Sequence, residues 1–399
     1  MKTVIIGASE ESLHTIEKAK KHGLTVTALD GNPKAAGLEE ADIGKVVNIS
    51  QEDITIQAVK EEQVDFVLTV PIGRYLTTIG AVNDVLNLPG IGKESACFCT
   101  DKLRFHQKMA EYHLRNCECY EVTEEMEERQ QLLEQIKENK TPLEFPAILK
   151  PRYGSGSRGI YFVTNLDELE NGLRDTSGED YILEECMEGE EYGVDGAVIQ
   201  GRFSMILLRK KENTPPPARQ AVAYFSVLPE DRFYQQVKEY LEKTVKALKL
   251  TECLFHADIM QTKEGPFAIE LSARPSGHNL HNLFTPLCTG VDMAEEYIKY
   301  RIGKEYNFCP VTTKQMMIHY FDMEGKVEWV PDKSYVEEIL GITFLAWKCN
   351  IREGDMLESV SNGHSLMGRG YFVLEGNSET ELKKQAKEIK NLFQLSKKK

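Results

Sequence analysis

The sequence predicts a mixed α/β protein in which a small parallel sheet is followed by a larger region of antiparallel strands and helices. Residues 2–29 read as an apolar strand, a helical pattern and a second apolar strand, which is typical of a β-α-β unit. Residues 255–260 and 267–271 read as two strands, and the turn between them contains Gly265, which favours an antiparallel hairpin. The chain therefore combines α/β with α+β organisation.

The first hundred residues favour a Rossmann-like domain with a parallel sheet. Residues 65–71 supply a further strand, and residues 81–86 supply a helix that ends before a turn. Asp30 closes the second strand where a ribose-binding acid would stand, but the first turn lacks the Gly-x-Gly-x-x-Gly pattern of dinucleotide sites. An NAD-binding oxidoreductase is therefore a distant alternative.

Two further domains are expected after this first domain of residues 1–100. We predict a central domain over residues 101–305, with a small lid near 140–190, and a strand-rich C-terminal domain over 306–399. Apolar residues at helical spacing or in acidic surroundings predict helices at residues 119–140, 230–249 and 379–393. Short apolar segments predict strands at residues 145–150, 181–185, 192–199, 315–321 and 344–347.

Composition narrows the class of protein. The 399 residues carry a formal net charge of −15, and a field of that sign repels a phosphate backbone, so we expect no nucleic-acid partner. The longest apolar segments fall short of the roughly 20 residues of a membrane helix, and residues 1–7 lack the apolar region of a signal peptide. We expect a cytoplasmic protein with no membrane association, in which most of the nine cysteines are thiols.

A glycine-rich segment, Gly-Ser-Gly-Ser-Arg-Gly at residues 154–159, follows the predicted strand that ends at Lys150. Its backbone amides could surround a polyphosphate while Lys150 and Arg158 neutralise negative charge. The pattern differs from that of P-loop NTPases, because no Gly-Lys-Ser/Thr opens a helix here. Taken alone, the segment is as typical of a flexible connection as of a phosphate loop.

Asp258 and Glu270 lie on the two strands of the predicted hairpin, so the strands can align both carboxylates at one end of a cleft. Hard oxygen ligands of this kind suit Mg²⁺, which takes one or two protein carboxylates together with substrate phosphates and water. Ser272 and Arg274 follow Glu270 at even spacing and share its face if the strand continues. The alternative is a pair of ordinary surface carboxylates, which the alternation of polar and apolar residues in this strand disfavours.

Five motifs occur in the order found in the ATP-grasp ligases: Asp101-Lys102 at a helix start, and residues 145–151, 154–159, 183–191 and 268–274. The sequence resembles the branch of that family which contains biotin carboxylase, the halves of carbamoyl-phosphate synthetase and the L-amino-acid ligases. The resemblance implies an ATP-grasp fold, flanked by the Rossmann-like domain and the strand-rich C-terminal domain. It therefore covers nearly the whole chain.

The resemblance also implies which residues bind ATP. The phosphates would be contacted by Lys102 and Lys150, and they would be covered by the mobile loop that contains Gly154, Ser155, Gly156, Ser157 and Gly159. The adenine edge and the ribose would be held by Glu184, Glu185, the backbone through Met187, and Glu191.

The implied magnesium ligands are Asp258, Glu270 and Ser272, with Mn²⁺ as an alternative metal. Two positions depart from the family pattern, since Ser272 stands where Asn is usual and Asp258 stands where Glu is common. Arg274 would lie beside the transferred phosphoryl group and the substrate carboxylate. With Lys150 and Ser276, it completes the implied catalytic set.

The sequence gives weaker indications of where the second substrate binds. Ser276, Gly277 and His278 could line the place where the two substrates meet, or they could form a plain turn. His106 and His256 are more typical of structural than of catalytic histidines. The roles of several other segments stay open, namely residues 214–217, Arg74, Arg219 and Arg369.

We therefore predict an ATP-dependent carboxylate–amine ligase that forms an amide bond through an acyl phosphate and releases ADP and phosphate. Its partners would be small-molecule carboxylate and amine substrates, and the family resemblance also allows a homodimer. Two alternatives stay open: a carboxylase or synthetase that activates bicarbonate, and a catalytically silent nucleotide-binding regulator of the same fold.

Overall fold

A computed structural model describes residues 1–115, 117–154, 159–215, 219–360 and 363–396. The N-terminal part forms a four-stranded sheet in the order β3-β2-β1-β4, and all of its strands are parallel. Buried aliphatic side chains on its strands explain why these apolar segments pair as expected. Its elements are β1 (Lys2–Ile6), α1 (Leu13–Lys21), β2 (Thr25–Asp30), α2 (Ala36–Glu40), β3 (Ile43–Val46), α3 (Glu52–Glu62), β4 (Phe66–Leu68), α4 (Leu76–Leu86) and α5 (Lys93–Phe98).

A second four-stranded sheet, in the order β5-β8-β6-β7, forms the lid region. The expectation of a helix from residue 119 is wrong at its start, because Cys119 begins a strand that pairs with β8 before the helix begins at Met126. Pairing with a neighbouring strand here outweighs the helical propensity of the acidic sequence. The elements are α6 (Lys102–Glu111), β5 (Cys119–Val122), α7 (Met126–Lys137), β6 (Ala147–Pro151), β7 (Tyr161–Val163), α8 (Leu166–Asp175) and β8 (Tyr181–Glu185).

The largest sheet has eight antiparallel strands in the order β13-β12-β9-β10-β11-β14-β18-β16. Strands β10 and β11 were not predicted, because the proline-rich segment between them interrupts the apolar pattern. The elements of the central region are β9 (Glu190–Ile199), β10 (Arg202–Asn213), β11 (Ala221–Val227), α9 (Arg232–Ala247), β12 (Cys253–Thr262), β13 (Gly265–Ser272), α10 (Thr285–Thr289) and α11 (Met293–Arg301).

The strands of the C-terminal region are divided between the large sheet and a small sheet of their own. Its strands β14 and β18 continue the large sheet through the pairing of β11 with β14, so the sheet extends past the predicted boundary at residue 306. A small sheet, β17-β15-β19, packs beside it. The elements are β14 (Met316–Tyr320), β15 (Gly325–Trp329), α12 (Lys333–Leu340), β16 (Ala346–Cys349), β17 (Met356–Leu357), α13 (Gly363–Met367), β18 (Gly370–Glu375), α14 (Glu379–Asn391) and β19 (Gln394–Ser396).

One continuous apolar cluster joins the parallel sheet to the large sheet. Val4 and Ile6 of β1 belong to the same buried cluster as Val194 of β9 and Phe255 of β12. Burial of this area fixes the N-terminal domain against the strands that carry the predicted metal ligands. Among the described helices, none has both the length and the apolar character that a bilayer crossing requires.

We expect Gly370→Ala to destabilise the C-terminal edge of the large sheet. Gly370 has φ +100°, and an added Cβ would lie 1.9 Å from the carbonyl oxygen of Lys348 on the neighbouring strand β16. The combined strain and overlap should lower the free energy of unfolding by about 3 kcal/mol in urea titrations.

Gly341→Ala is the matched control for this substitution. Gly341 also has a positive φ, of +65°, but an added Cβ would meet nothing within 4 Å. Its cost should be limited to about 1–2 kcal/mol of backbone strain. Equal losses in the two variants would contradict the packing described for β16 and β18.

Candidate active site

The hairpin of β12 and β13 places the two predicted metal ligands opposite each other. Asp258 pairs directly with Glu270, and His256 pairs with Ser272 two residues away. Side chains at such alternating positions lie on the same face of a sheet. The register shifts between Asp258 and Ile259. The predicted pairing of Asp258 with Glu270 therefore holds on the side of the shift away from the hairpin turn.

A cavity opens beside this end of the hairpin. Its wall includes Glu270, Ser272 and Arg274, although β13 itself ends at Ser272. The opposite parts of the wall come from the start of α6, the loop after β6 and the loop after β4, through Lys102, Gly154 and Arg74. Four separate parts of the fold, the hairpin included, therefore converge on one cavity.

Asp258 is held by a lysine that the sequence did not single out. The Nζ atom of Lys211, on β10, lies 2.7 Å from Asp258 Oδ2, and His256 Nε2 lies 3.6 Å from Oδ1. Burial opposes ionisation of Asp258, but the positive charge of Lys211 holds the pKa of the carboxyl below its usual range. Lys211 stands in the charged end of β10, between Lys210 and Glu212, so no local signal in the sequence set it apart.

The arrangement fits a hard divalent cation. Asp258 Oδ1 is buried and has no hydrogen-bond partner among the described residues, which is costly unless a ligand satisfies it. Together with the Glu270 carboxylate and the Ser272 hydroxyl, it offers oxygen donors of the type that Mg²⁺ and Mn²⁺ accept. Asp258, Glu270 and Ser272 are thus a chemically consistent metal set.

Arg274 lies just past the end of β13 and is enclosed by charged groups. Burial lowers the pKa of its guanidinium, and the negative charges of Glu270, Asp258 and Glu11 oppose that effect. One Arg274 nitrogen, Nη1, donates to the carbonyl of Pro275 at 2.8 Å. Its Nε is buried without a partner among the described residues, so the guanidinium has a free donor.

Glu184 has a different environment from the one expected of a residue at the adenine edge. Its carboxylate is bonded to Lys150 Nζ and, at 2.8 Å, to Arg115 Nη2, and His106 Nε2 lies 2.9 Å from it. Burial disfavours its charge, yet the positive charges of Lys150 and Arg115, together with the nearby His106, hold the pKa of Glu184 well below its usual range. The side chain is thus already engaged, and adenine recognition here would fall to the backbone.

The same cluster fixes Lys150. Its ammonium is buried and bonded to Glu184, so the carboxylate holds the lysine in place at the end of β6. His106, Cys119 and Glu184 also bring three potential metal-ligand atoms within 4.8 Å of one another. Because the Glu184 oxygens are already satisfied by cations, this group is better described as a buried ion cluster than as a metal site.

The predicted phosphate loop is described at its two ends. Lys102 Nζ donates to the Gly154 carbonyl at 2.8 Å, which ties α6 to the start of the loop. At the other end, Gly159 has φ +70°. Four residues of the loop lie outside the described part of the chain. They are the predicted ATP-binding residues Ser155, Gly156 and Ser157, and Arg158.

The other residues expected at the base and ribose lie apart from this cavity. Glu185 Oε2 accepts a hydrogen bond from the Glu118 backbone at 3.1 Å, and Met187 lines a second cavity beside Phe267. Glu191 is paired with Arg219 at 2.6 Å. Glu191 is therefore not free in this state, and a ribose would have to share it with Arg219 or displace that partner.

The loop after β13 contains Ser276 and His278, which the sequence offered as candidates for the place where the two substrates meet. Ser276 is 1% exposed, and its hydroxyl has no hydrogen-bond partner among the described residues. The Tyr320 hydroxyl donates to the His278 carbonyl at 2.6 Å. Arg369 donates to the backbone carbonyls of Met323 and Glu358, so it stabilises a turn and is not available for a substrate carboxylate.

Comparison with known proteins agrees with this architecture. Residues 143–281 match a family model described as an ATP-grasp domain. An L-arginine-specific L-amino acid ligase of Bacillus subtilis is 22% identical in an alignment of 322 residues that covers 77% of this chain and 74% of that protein.

Solved structures share the fold over the whole chain. An L-amino acid ligase from Bacillus licheniformis superposes with a TM-score of 0.78 at 17% identity, covering 100% of this chain and 99% of that one. A carboxyaminoimidazole ribonucleotide synthase from Aspergillus clavatus, complexed with ATP, gives 0.73 at 12% identity, covering 98% and 97%. Residues 143–281 are thus an ATP-grasp domain, and the shared fold confirms the fold class that the motifs indicated.

The buried ion cluster makes stability sensitive to acid. Burial lowers the pKa of His106 from 6.5 to about 4, so the folded chain keeps this imidazole neutral while the unfolded chain protonates it. The stabilisation that depends on a neutral His106 is therefore complete above pH 6.5 and is lost as the pH falls towards 4. We expect His106→Gln to reduce the loss of unfolding free energy between pH 7 and pH 5 by about 2 kcal/mol in urea titrations.

His113→Asn is the control for this pH dependence. His113 is exposed and has φ 54°, a conformation that Asn tolerates. This variant should keep the wild-type dependence on pH. An unchanged slope in His106→Gln would show that His106 is not held neutral by the fold.

Proposed function

We propose that this ATP-grasp enzyme is an ATP-dependent carboxylate–amine ligase that activates an acid as an acyl phosphate. The observation that carries the proposal is the cavity in which Glu270, Ser272 and Arg274 share a wall with Lys102. It combines oxygen donors for a cation, positive charge for phosphates and a guanidinium with a free donor. These are the groups that a transferring phosphoryl and its carboxylate acceptor require.

Three lysines supply positive charge around the proposed phosphate position. Lys102 is tied to the phosphate loop through Gly154, Lys150 is held by Glu184, and Lys211 is held by Asp258. Each is bonded within the protein before substrate arrives, so its position is set in advance. Such preorganised charge costs little reorganisation when negative charge moves during transfer.

In the first step, an oxygen of the substrate carboxylate attacks the γ-phosphorus of ATP, and the bond to the β,γ-bridging oxygen breaks to release ADP. Arg274 orients the carboxylate through its guanidinium. A divalent cation held by Asp258, Glu270 and Ser272 would neutralise charge on the phosphoryl oxygens. The product is an acyl phosphate, in which phosphate is a good leaving group.

In the second step, the nitrogen of a neutral amine attacks the acyl carbon, and the tetrahedral oxyanion lies beside Arg274. The C–O bond to phosphate then breaks, and the nitrogen loses a proton to the departing phosphate to give the amide. Water must be excluded while the acyl phosphate waits, since hydrolysis would consume ATP without product. The loop over residues 154–159 is our candidate for this cover.

The nucleotide product tests the reaction class. We expect ADP and phosphate to appear when an acid and an amine are supplied together with ATP and Mg²⁺, because the activated intermediate is an acyl phosphate. A screen of paired amino acids by phosphate release, with chromatography of the nucleotides, measures this.

Formation of AMP and pyrophosphate would contradict the proposal, and stimulation by bicarbonate but by no organic acid would favour a carboxylase. Tight ATP binding without turnover over the whole panel would favour a silent regulator.

Two substitutions test the proposed cavity. Glu270→Gln and Arg274→Ala should each lower kcat by about 100-fold or more, because each removes a charge that acts on the transferring group. Circular dichroism and urea titration should show that the fold is kept.

The matched control is Glu230→Gln. Glu230 is exposed in the loop before α9 and lies outside the wall of the cavity. It should retain wild-type turnover. Near-normal activity of either Glu270→Gln or Arg274→Ala would remove the mechanism.

A further inference from the structure

His256 lies beside the candidate metal ligands on the same face of the hairpin. It precedes Asp258 by two positions in β12, and it pairs with Ser272 of β13, while Asp258 pairs with Glu270. Alternate residues of a strand point to one face of a sheet, so the four side chains form two neighbouring rows. His256 also lines the cavity together with Glu270 and Ser272. The sequence alone favoured a structural role for this histidine, but its place in the wall puts an imidazole among the oxygen donors.

The neighbouring strand β9 determines which ring nitrogen of His256 carries the proton. The Nδ1 atom lies 3.2 Å from the backbone carbonyl oxygen of Val194 and 3.8 Å from Asp195 Oδ1. A carbonyl oxygen only accepts hydrogen bonds, so Nδ1 is the protonated nitrogen and donates to it. In the neutral ring, Nε2 therefore has a lone pair that is available to a ligand.

This Nε2 atom faces a carboxylate oxygen that is also an acceptor. It lies 3.6 Å from Asp258 Oδ1, which is too far for a hydrogen bond. Oδ1 is buried and has no hydrogen-bond partner among the described residues, whereas Lys211 Nζ lies 2.7 Å from the other oxygen, Oδ2. Two acceptors that face each other repel, and a cation that binds both removes that cost.

The separation of the two atoms suits two ligands of one metal ion. Donor atoms that each lie about 2.1 Å from an ion are about 3.0 Å apart at a right angle and about 4.2 Å apart when they are opposite. The 3.6 Å between His256 Nε2 and Asp258 Oδ1 falls within these limits. Histidine ligands also almost always donate their other ring N–H to a carbonyl or carboxylate, and the contact of Nδ1 with Val194 supplies this partner.

We infer that His256 Nε2 is a nitrogen ligand of the divalent cation and shares it with Asp258 Oδ1. The inference rests on the cation site of the proposed function, and it adds to that site a residue and a metal preference. An imidazole nitrogen suits transition-metal ions such as Co²⁺ better than it suits Mg²⁺, which favours oxygen ligands. The site should therefore bind Co²⁺ more tightly, relative to Mg²⁺, than the same site without His256.

Pulsed EPR of bound Mn²⁺ tests the ligand directly. The chain is loaded with Mn²⁺ and the β,γ-methylene analogue of ATP, which has no nitrogen at the bridging position. Electron spin echo modulation detects nitrogen nuclei bonded to manganese, and wild type should show the coupling of an imidazole nitrogen. Labelling the histidines with the heavier nitrogen isotope should change this coupling. The labelled wild type therefore assigns it to imidazole without any substitution, and His256 is the histidine in the wall of the cavity.

His256→Asn should abolish the nitrogen coupling. The amide nitrogen of Asn can replace Nδ1 as the donor to Val194, but no atom of Asn takes the place of Nε2. Titration with Mn²⁺, followed by competition with Co²⁺ and Mg²⁺, then measures the metal preference. The variant should bind Co²⁺ about 10-fold more weakly or worse, and Mg²⁺ with a much smaller loss. Equal losses for the two metals would show that His256 only supports the hairpin.

His113→Asn is the matched control, because His113 is exposed and Asn tolerates its backbone conformation. It should keep the nitrogen coupling and the wild-type metal preference. Bound Mn²⁺ without nitrogen coupling in wild type, or a coupling that persists in His256→Asn, would overturn the inference and leave the cation site of the ligase proposal standing. Unchanged Mn²⁺ binding in Asp258→Asn would overturn that cation site itself, and the inference with it.

Discussion

The register of the β12–β13 hairpin is the constraint on which the site depends. Because Asp258 stands opposite Glu270, both carboxylates reach the same end of the sheet, and Ser272 and Arg274 follow beside the cavity. A shift by one residue would turn every one of these side chains to the other face. The register is secured by the buried apolar residues between them, such as Ala257 and Leu271, which pack in the cluster shared with the N-terminal domain.

Buried charge surrounds this hairpin and sets its electrostatics. Arg209 and Asp195 form a fully buried pair on β10 and β9, which Thr285 joins through a hydrogen bond at 2.6 Å. On the lid side, Glu184 holds Lys150. Such pairs add little net stability when compared with apolar residues, but each fixes a side chain in one place. The cavity therefore has its charges in position before any substrate binds, at the cost of several desolvated groups.

The sequence predicted those parts of the fold and site that depend on local pattern. Alternation in β12 and β13 was enough to align Asp258 with Glu270. The contact of Glu11 with the backbone of His278 was not predicted because the two residues are 267 positions apart and no local pattern links them. Lys211 was missed because β10 was not recognised, and the partners of Glu184 were missed because they come from α6, the loop after it and β6. Long-range contacts of this kind leave no periodic signal.

The most direct test of this account is a crystal structure of the chain with Mn²⁺ and a non-hydrolysable ATP analogue. Anomalous scattering locates manganese independently of the protein model. The account predicts a manganese peak bonded to the carboxylates of both Asp258 and Glu270, with the γ-phosphoryl group within reach of Arg274. Manganese bound elsewhere, or a nucleotide whose phosphates lie away from this hairpin, would contradict it.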